Sequence, residues 1–570
     1  MNKNTKRSIR SHIGRLSALS LAVGATLFAS VAHAQLTQNI TIGNPKALAL
    51  GNAVTADPPG IDSIHFNPAG LAKIKGRQRQ LKVLGAQMTF ETNFGNRDLS
   101  KAQTEIDPLT GEPGSIKDTY IEVYCNDVAG CTYPDEKFEN TSDSTSKPLI
   151  MLPGAGLTEV PFLVIPLGGI AIEDPNYGWT FATAVYSPQA IGYERDADSG
   201  SAYQGQRLGI TRLTYFSPSI GLQFSDELYV GASIGFSYQG FGVETKLRTA
   251  EPTLAFIQGT LNNLDDTLKD LGLALSAIGP GDDIGSLTLE LEDPLSLTFN
   301  VGLLWEPTEW VSFGVVYQSE GTSNLEGDFK MEHSDNFIAM THGLVDLNGP
   351  LALAGLGPFN GTKVVEGTAE LELINPAHFA IGTSLKLFPN LKVNLDAKWT
   401  DYSAWENLEI KFDSNIDFLT VSDLVYTLGG SGFNADGEDN ADPDTMIIQR
   451  QYESVWSWAI GVEYEYSDNL VLRFGYEPRD SAIPDDRVDI LAPLAAAQLY
   501  TIGFGYQLDN YSRFDAAYGY LTSTFSADAG ESENLNSTTP GQVVYNPYAF
   551  LDVESTTTAH IFTFTYEEKF

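Results

Sequence analysis

Two cysteines among 570 residues exclude a scaffold built on disulfides. Basic residues are also scarce, with 34 Lys and Arg against 73 Asp and Glu, for a formal charge of −39. Phosphate backbones are bound by basic faces, so nucleic acid is excluded as a partner. Long apolar runs are missing as well. Beyond residue 34 no stretch approaches the ~20 apolar residues that a membrane-spanning helix needs, and mean hydropathy is −0.12. That does not exclude a β-barrel, whose strands show lipid only at every second residue. What the chain has in quantity is 53 Gly, 30 Phe and 25 Tyr, a composition suited to β-structure with aromatic girdles.

Residues 1–34 read as a secretory signal peptide. They carry Lys3, Lys6, Arg7, Arg10 and Arg15 and no acid, then a mostly apolar run, then the A-x-A pattern Ala32-His33-Ala34. Cleavage there would start the mature chain at Gln35 and take the formal charge from −39 to −44. So much acid must lie in water, on loops or in a lumen. Cys125 and Cys131 sit close together in a polar segment and, after export to an oxidising compartment, are expected to form one small-loop disulfide. A metal pair would need a nearby His or a third Cys. The oxygen-rich loop at 434–444 could hold Ca²⁺, but it lacks EF-hand spacing and reads as a solvated acidic loop. No metal and no cofactor are expected.

The chain end alternates with a period of two. His560, Phe562, Phe564, Tyr566, Glu568 and Phe570 share one face, and Ile561, Thr563, Thr565, Glu567 and Lys569 the other. An aromatic strand ending in Phe resembles the signal read by the outer-membrane barrel-assembly machinery; Glu568 departs from it. The same dyad places Trp456, Trp458, Ile460, Val462, Tyr464 and Tyr466 on one face, and likewise Leu391, Val393, Leu395, Ala397 and Trp399, and Leu297, Phe299, Val301, Leu303 and Trp305. Fourteen strands are predicted, near 78–92, 159–173, 178–188, 206–224, 227–249, 286–306, 309–330, 364–388, 391–412, 445–467, 470–480, 496–509, 512–527 and 555–570. Tight Pro/Asn/Asp/Ser turns alternate with seven long connections, as in an outer-membrane barrel whose short turns are periplasmic. The predicted class is all-β, a transmembrane antiparallel barrel of about fourteen strands over 78–570.

Residues 35–77 read as a compact irregular segment rich in Gly, Ala and Pro. Preceding the first strand, it can fold back as a plug in the lumen. It contains Asn67-Pro68-Ala69, a tripeptide that recurs at Asn375-Pro376-Ala377 within a predicted strand. With the Trp179 to Pro188 run, the segments 299–307 and 314–320, Trp399-Thr400-Asp401-Tyr402-Ser403, and Leu472-Arg473-Phe474-Gly475-Tyr476, the chain resembles the FadL-type long-chain fatty-acid transport proteins, which include aromatic-hydrocarbon channels of the TodX kind. The resemblance implies a fourteen-stranded barrel, a hatch carrying the Asn67-Pro68-Ala69 motif, and a lateral gap at a kinked strand. Pro166 and Pro188 are the candidates for that kink. The large insertions at 93–158 and 413–444 depart from the family pattern.

Three sets of residues are candidates for ligand contact. Leu254, Ile257, Leu261, Leu264 and Leu268 step by three and four in an outer loop, continuing to Leu271 and Leu275, so they form one helical stripe. It is either a first groove for ligand or a face packed on other loops. For a fatty-acid carboxylate, Lys398 and Arg473 have lumen parity, as does Lys392; the competing reading pairs them with inward acids such as Asp396 or Glu463. The expected partners are a hydrophobic small molecule, outer-membrane lipid and the barrel-assembly machinery. Acyl chains, alkanes, terpenes and aromatic rings need similar linings, so the substrate stays open. The competing classes are a barrel lipid hydrolase and an open porin. No nucleophile is fixed beside His65, His333, His342, His378 or His560, so a non-enzyme is expected. The mature protein should fractionate with the outer membrane of a Gram-negative cell and migrate heat-modifiably on gels; recovery as a soluble periplasmic protein would sink the barrel.

Overall fold

A computed structural model describes residues 39–98, 135–248, 281–345, 358–421, 442–493, 495–537 and 546–570, with isolated residues in the intervening loops. The signal segment, Cys125, Cys131, the stripe from Leu254 through Ile257, Leu261 and Leu264 to Leu268, and most of the 434–444 loop lie outside the described residues.

Fourteen strands form one closed antiparallel wall. They are β1 (Arg77–Arg97), β2 (Leu163–Asp174), β3 (Trp179–Glu194), β4 (Arg207–Phe216, then Ser219–Gln223), β5 (Leu228–Arg248), β6 (Asp283–Thr308) and β7 (Val311–Gln318, then Gly321–His333). The wall continues through β8 (Val364–Asn375, then His378–Phe388), β9 (Leu391–Thr400, then Asn407–Phe412), β10 (Thr445–Gln449, then Val455–Ser467), β11 (Leu470–Arg479), β12 (Ala497–Gln507), β13 (Ser512–Ala527) and β14 (Leu551–Lys569). Each pairs with its neighbour in sequence, and β14 closes on β1 from Gln78↔Lys569 to Arg97↔Leu551. Closure leaves the fourteen-strand wall without an edge strand to seek a partner. Glu568, the residue that breaks the aromatic pattern of the last strand, accepts from the Arg79 guanidinium at 2.5 and 2.8 Å across that closing seam.

The alternation has the expected sense near the short turns. Along β6, Leu297, Phe299, Val301, Leu303 and Trp305 face outward, while Ser296, Asn300 and Leu304 are buried inward. Further up, the sense inverts. Leu287, Leu289 and Leu291 point into the barrel, and Glu290 and Glu292 point out. The exchange happens at Pro294-Leu295, where β6 carries one residue more than β5 between successive ladder pairs. β7 inverts between Gln318 and Gly321, and β8 at Pro376-Ala377. The dyad read over Leu297 to Trp305 therefore does not continue into the upper halves of β6 to β8. Above the lipid the outer face meets water, so charge belongs outside there. The interior becomes an apolar core in which Leu325, Phe329, Met331, Leu371 and Leu373 join the β6 leucines and helix Asp335–Val345.

The short hairpin Lys147–Leu152 and Gly156–Glu159, part of the first long connection, lies on the outside of this upper tier. Its Leu157 occupies the space left by Gly209 and Gly242, and its main-chain N–H groups at Gly154 and Leu157 donate to Glu292 and Glu290. Residues 39–76 fill the lower lumen ahead of β1. Glycines in the wall make the close approach possible: a Cβ built on Gly231 would stand 2.2 Å from the Pro68 carbonyl, and one on Gly302 would stand 2.0 Å from Asn67 Oδ1. Gly231→Val is expected to push this segment off the wall and raise single-channel conductance, with heat-modifiable migration retained. An unchanged conductance would contradict the fit.

Candidate functional site

The segment in the lumen is held by its own caps and by the wall. Asn44 caps helix Pro45–Ala49 through Ala47 N–H and donates to Asp62 at 2.7 Å. Asp62 is buried and also accepts from Lys82 and Gln80 of β1, both at 2.6 Å. Asn67 caps the turn Pro68–Lys73, accepting from Ala69 N–H at 3.2 Å. Its amide donates to Thr55 O at 2.8 Å and to Leu303 O on β6 at 3.1 Å. Pro68 lacks an N–H that would otherwise be orphaned in this first turn. The Asn67-Pro68-Ala69 tripeptide therefore ties the two lobes of the segment to each other and to the wall, directly below Ile64-His65-Phe66.

The lumen cations singled out from sequence meet acids. Lys398 pairs with Glu477 at 2.8 Å, and Glu477 also takes Arg479 at 3.0 Å and Asn52 of the lumen segment at 2.9 Å. Arg473 bridges Glu463 at 2.7 Å and Asp515 at 2.6 Å. Lys392 sits between Asp57 at 2.6 Å and Glu463 at 2.7 Å. Lys398 and Arg473 thus fix the plug and wall, and neither lines the cavity described next. A charge left unpaired at such depth is costly, which is why each recruits a carboxylate.

Arg212 of β4 is the exception. It is only 4% exposed, and neither Nη1 nor Nη2 meets a hydrogen-bond acceptor among the described residues. It lines a cavity of about 100 Å³ at the level where the strands invert. The lower boundary is His65, whose carbonyl accepts from Gln318 at 2.6 Å, together with Asn300, which donates to Ile64 O at 3.1 Å. Thr214, Thr298 and Gln318 add polar groups, and Tyr186, Pro188, Pro376, Tyr402 and Trp405 add apolar surface. Sequence reasoning missed Arg212. Its buried neighbour Thr211 deprives it of a readable parity, and the available signal was a lone basic residue in the run Leu208-Gly209-Ile210-Thr211-Arg212-Leu213.

The same cavity touches a gap in the wall. β2 and β3 are laddered only from Gly168↔Val185 down to Asp174↔Trp179. Above that, Leu163–Leu167 stays on β1 while β3 follows β4. β3 bulges between Tyr186 and Gln189, a stretch that contains Pro188. Proline has no N–H to lose there. The upper end is closed where Pro148 meets Tyr193 and accepts from Val160 N–H. Behind the gap, Thr41 of the lumen segment donates to Ser187 O at 2.9 Å. Pro166 lies on the facing stretch of β2, opposite Val83 of β1.

The histidines are dispersed. His65 meets Asn39 at 2.6 Å, His378 meets the Thr400 hydroxyl at 2.9 Å, His333 and His342 meet main-chain carbonyls, and His560 meets the Tyr518 hydroxyl at 2.8 Å.

A family model described as outer membrane protein transport protein (OMPP1/FadL/TodX) matches residues 22–570. A long-chain fatty acid transport protein of Escherichia coli O6:H1 is 24% identical over 229 residues, which is 40% of this chain and 43% of that protein. The chain thus spans less than half the length of the curated relatives it matches. Among solved structures, a Pseudomonas aeruginosa FadL homologue superposes with a TM-score of 0.61 at 16% identity, covering 95% of this chain and all of that one. The P. putida toluene transporter TodX superposes with a TM-score of 0.54 at 13% identity, covering 94% and 99%. At those identities the likeness is one of fold.

Asn67→Ala removes three hydrogen bonds at the base of the cavity, each worth ~1 kcal/mol net. It should slow uptake of hydrophobic substrate in cells while the barrel still assembles. Undiminished uptake would count against a role for the motif.

Proposed function

We propose that this chain, which belongs to the outer membrane transport family OMPP1/FadL/TodX, carries hydrophobic small molecules across the outer membrane, with long-chain fatty acids foremost. The observation that carries the substrate is Arg212. A guanidinium that is buried, unpaired and turned into a cavity beside the wall gap is suited to hold a carboxylate by charge-assisted, two-pronged hydrogen bonds. Family membership and the printed function of the Escherichia coli relative support the acyl class. The protein works by binding and release, not by catalysis.

The route runs from the outer loops to the Arg212 cavity and then sideways through the gap between β2 and β3. The first contact is the apolar stripe Leu254, Ile257, Leu261, Leu264 and Leu268. Residues 35–77 act as the hatch that denies water an axial path. Pro188 keeps the β3 bulge from restoring a ladder bond and so preserves the lateral gap. A cavity of about 100 Å³ takes the carboxylate and the first methylenes; the remaining chain lies in the gap.

The rings of Tyr186, Tyr402 and Trp405 in the cavity wall also favour a second reading, uptake of a ligand of one aromatic ring. Arg212→Met distinguishes them. Losing a charge-assisted hydrogen bond costs ~1.5–3 kcal/mol, roughly ten- to a hundred-fold in Kd. The variant should therefore bind palmitate or oleate that much more weakly and bind toluene as before. Equal fatty-acid affinity in wild type and variant would remove the carboxylate from the proposal.

A further inference from the structure

The wall has another break at the level of the cavity, on the seam between β8 and β9. Below it the two strands are laddered up to His378↔Thr400, and above it from Leu371↔Ile410 to Ala369↔Phe412. In between, Asp401 N–H donates to Ala377 O at 2.9 Å, and beyond it no ladder pair joins Glu372–Pro376 to Tyr402–Glu409. β8 passes through the second Asn-Pro-Ala, in which Asn375 turns to β7 and donates to Gly321 O at 3.2 Å. β9 makes the single turn Tyr402–Ala404.

Side chains close what the backbone leaves open. The Trp405 indole N–H donates to Ile374 O across the seam at 2.5 Å. Its ring stacks on Tyr452 at 5.7 Å between centroids and meets Tyr402 edge-on at 6.2 Å. Tyr402, Trp405, Asn375 and Pro376 all line the Arg212 cavity, so the half-buried indole lies both on the cavity wall and across the seam.

The outer face at this point is specific in character. By register, Tyr317, Phe379, Trp399 and Trp456 form one row across β7 to β10 at the lower lip of the seam. Trp456 is 55% exposed. Directly above the seam come the exposed acids Glu372, Glu406 and Glu409. Aromatic rows mark the membrane–water interface, and charge marks the water beyond it. The seam therefore opens where a molecule with an apolar body and a polar end comes to rest.

We propose that the β8–β9 seam is a second doorway, through which a hydrophobic molecule dissolved in the outer-leaflet interface passes between Ile374 and Trp405 into the Arg212 cavity. It rests on that cavity being the binding site. The indole swings on its own rotamer and the ladder bonds below and above stay made. The molecule is thereby spared the apolar core that fills the barrel above the cavity.

Stopped-flow binding of 11-(dansylamino)undecanoate, pre-dissolved in phosphatidylcholine vesicles holding the full-length protein, tests it. Trp405→Ala should raise the association rate about three-fold or more, since it opens the path; because Trp405 also lines the cavity, the affinity is expected to fall, and the association rate is the deciding readout. Trp405→Phe, which keeps the ring and loses the N–H bond, should fall between. Ser403→Cys, on the exposed side of the turn, should behave as wild type until a bulky maleimide is attached, and then slow association. Should Trp405→Ala fail to assemble, the labelled Cys decides. Unaltered rates in Trp405→Ala and in the labelled Cys overturn the doorway. Arg212→Met, run in parallel, weakens Kd while leaving the labelled-to-unlabelled rate ratio intact, so failure of the cavity reading and failure of the doorway are separable.

Discussion

In hydrocarbon an unpaired backbone N–H or C=O costs several kcal/mol, because no water is present to satisfy it. On the proposed lateral route the wall therefore faces a conflict: the ladder that makes the barrel possible also seals it. Here the breaks are gathered at one level. β3 bulges at Pro188, β6 inverts at Pro294, and β8 turns at Pro376. Proline at each place has no N–H to orphan. The carbonyls released nearby are met by side chains, as Ser187 O is by Thr41 and Ile374 O by Trp405.

The same level divides two solvent regimes. Below it the outer face is apolar and the lumen holds charge in pairs. Above it the outer face is charged and the interior is apolar. Lys82, Lys392, Lys398 and Arg473 are each neutralised by acids of the wall or of the plugging segment. Those pairs add little net stability, since desolvation offsets attraction, but breaking one strands a buried charge. They act as registration marks that seat the plug. Arg212, lying at the boundary, has no such acid partner among the described residues, which is why the proposed function assigns the ligand's carboxylate to it.

Much of this was legible in the sequence. Period-two alternation and Pro/Asn/Asp turns located the fourteen strands, because side-chain direction in a strand is set by neighbours along the chain. The inversion was not legible. It depends on where the membrane ends, and one extra residue at Pro294-Leu295 exchanges every face beyond it. Lys398 and Arg473 were readable as inward, and the competing reading that paired them with inward acids holds for Arg473 on Glu463; that Lys398 takes Glu477 was not legible, since Glu477 and Asn52 stand far from Lys398 in sequence and converge only in the folded wall. Arg212 escaped because it borders a bulge, where parity gives no direction. The short Asn67-Pro68-Ala69 signal was readable because its chemistry is local: an amide capping a turn and a proline that starts it.

The polarity of the lower lumen also bears on direction of travel. Each CH₂ moved from an apolar site into water costs ~0.8 kcal/mol. On the proposed reading, a ligand descending from the Arg212 cavity along the barrel axis would pass the ion pairs of Asp62 with Lys82 and of Glu463 with Lys392 and Arg473, and the buried Asp396 carboxylate, giving up apolar contact without meeting an unpaired cation among the described residues. On the proposed route a ligand would leave through the gap above Gly168 and Val185, past Pro166, Val164 and Pro188, with its tail in lipid before a carboxylate left Arg212. Charge pairing in the lumen thus does more than hold the plug. It disfavours the axial path for anything with a long apolar tail, which is the physical ground of the proposed exit through the side of the barrel.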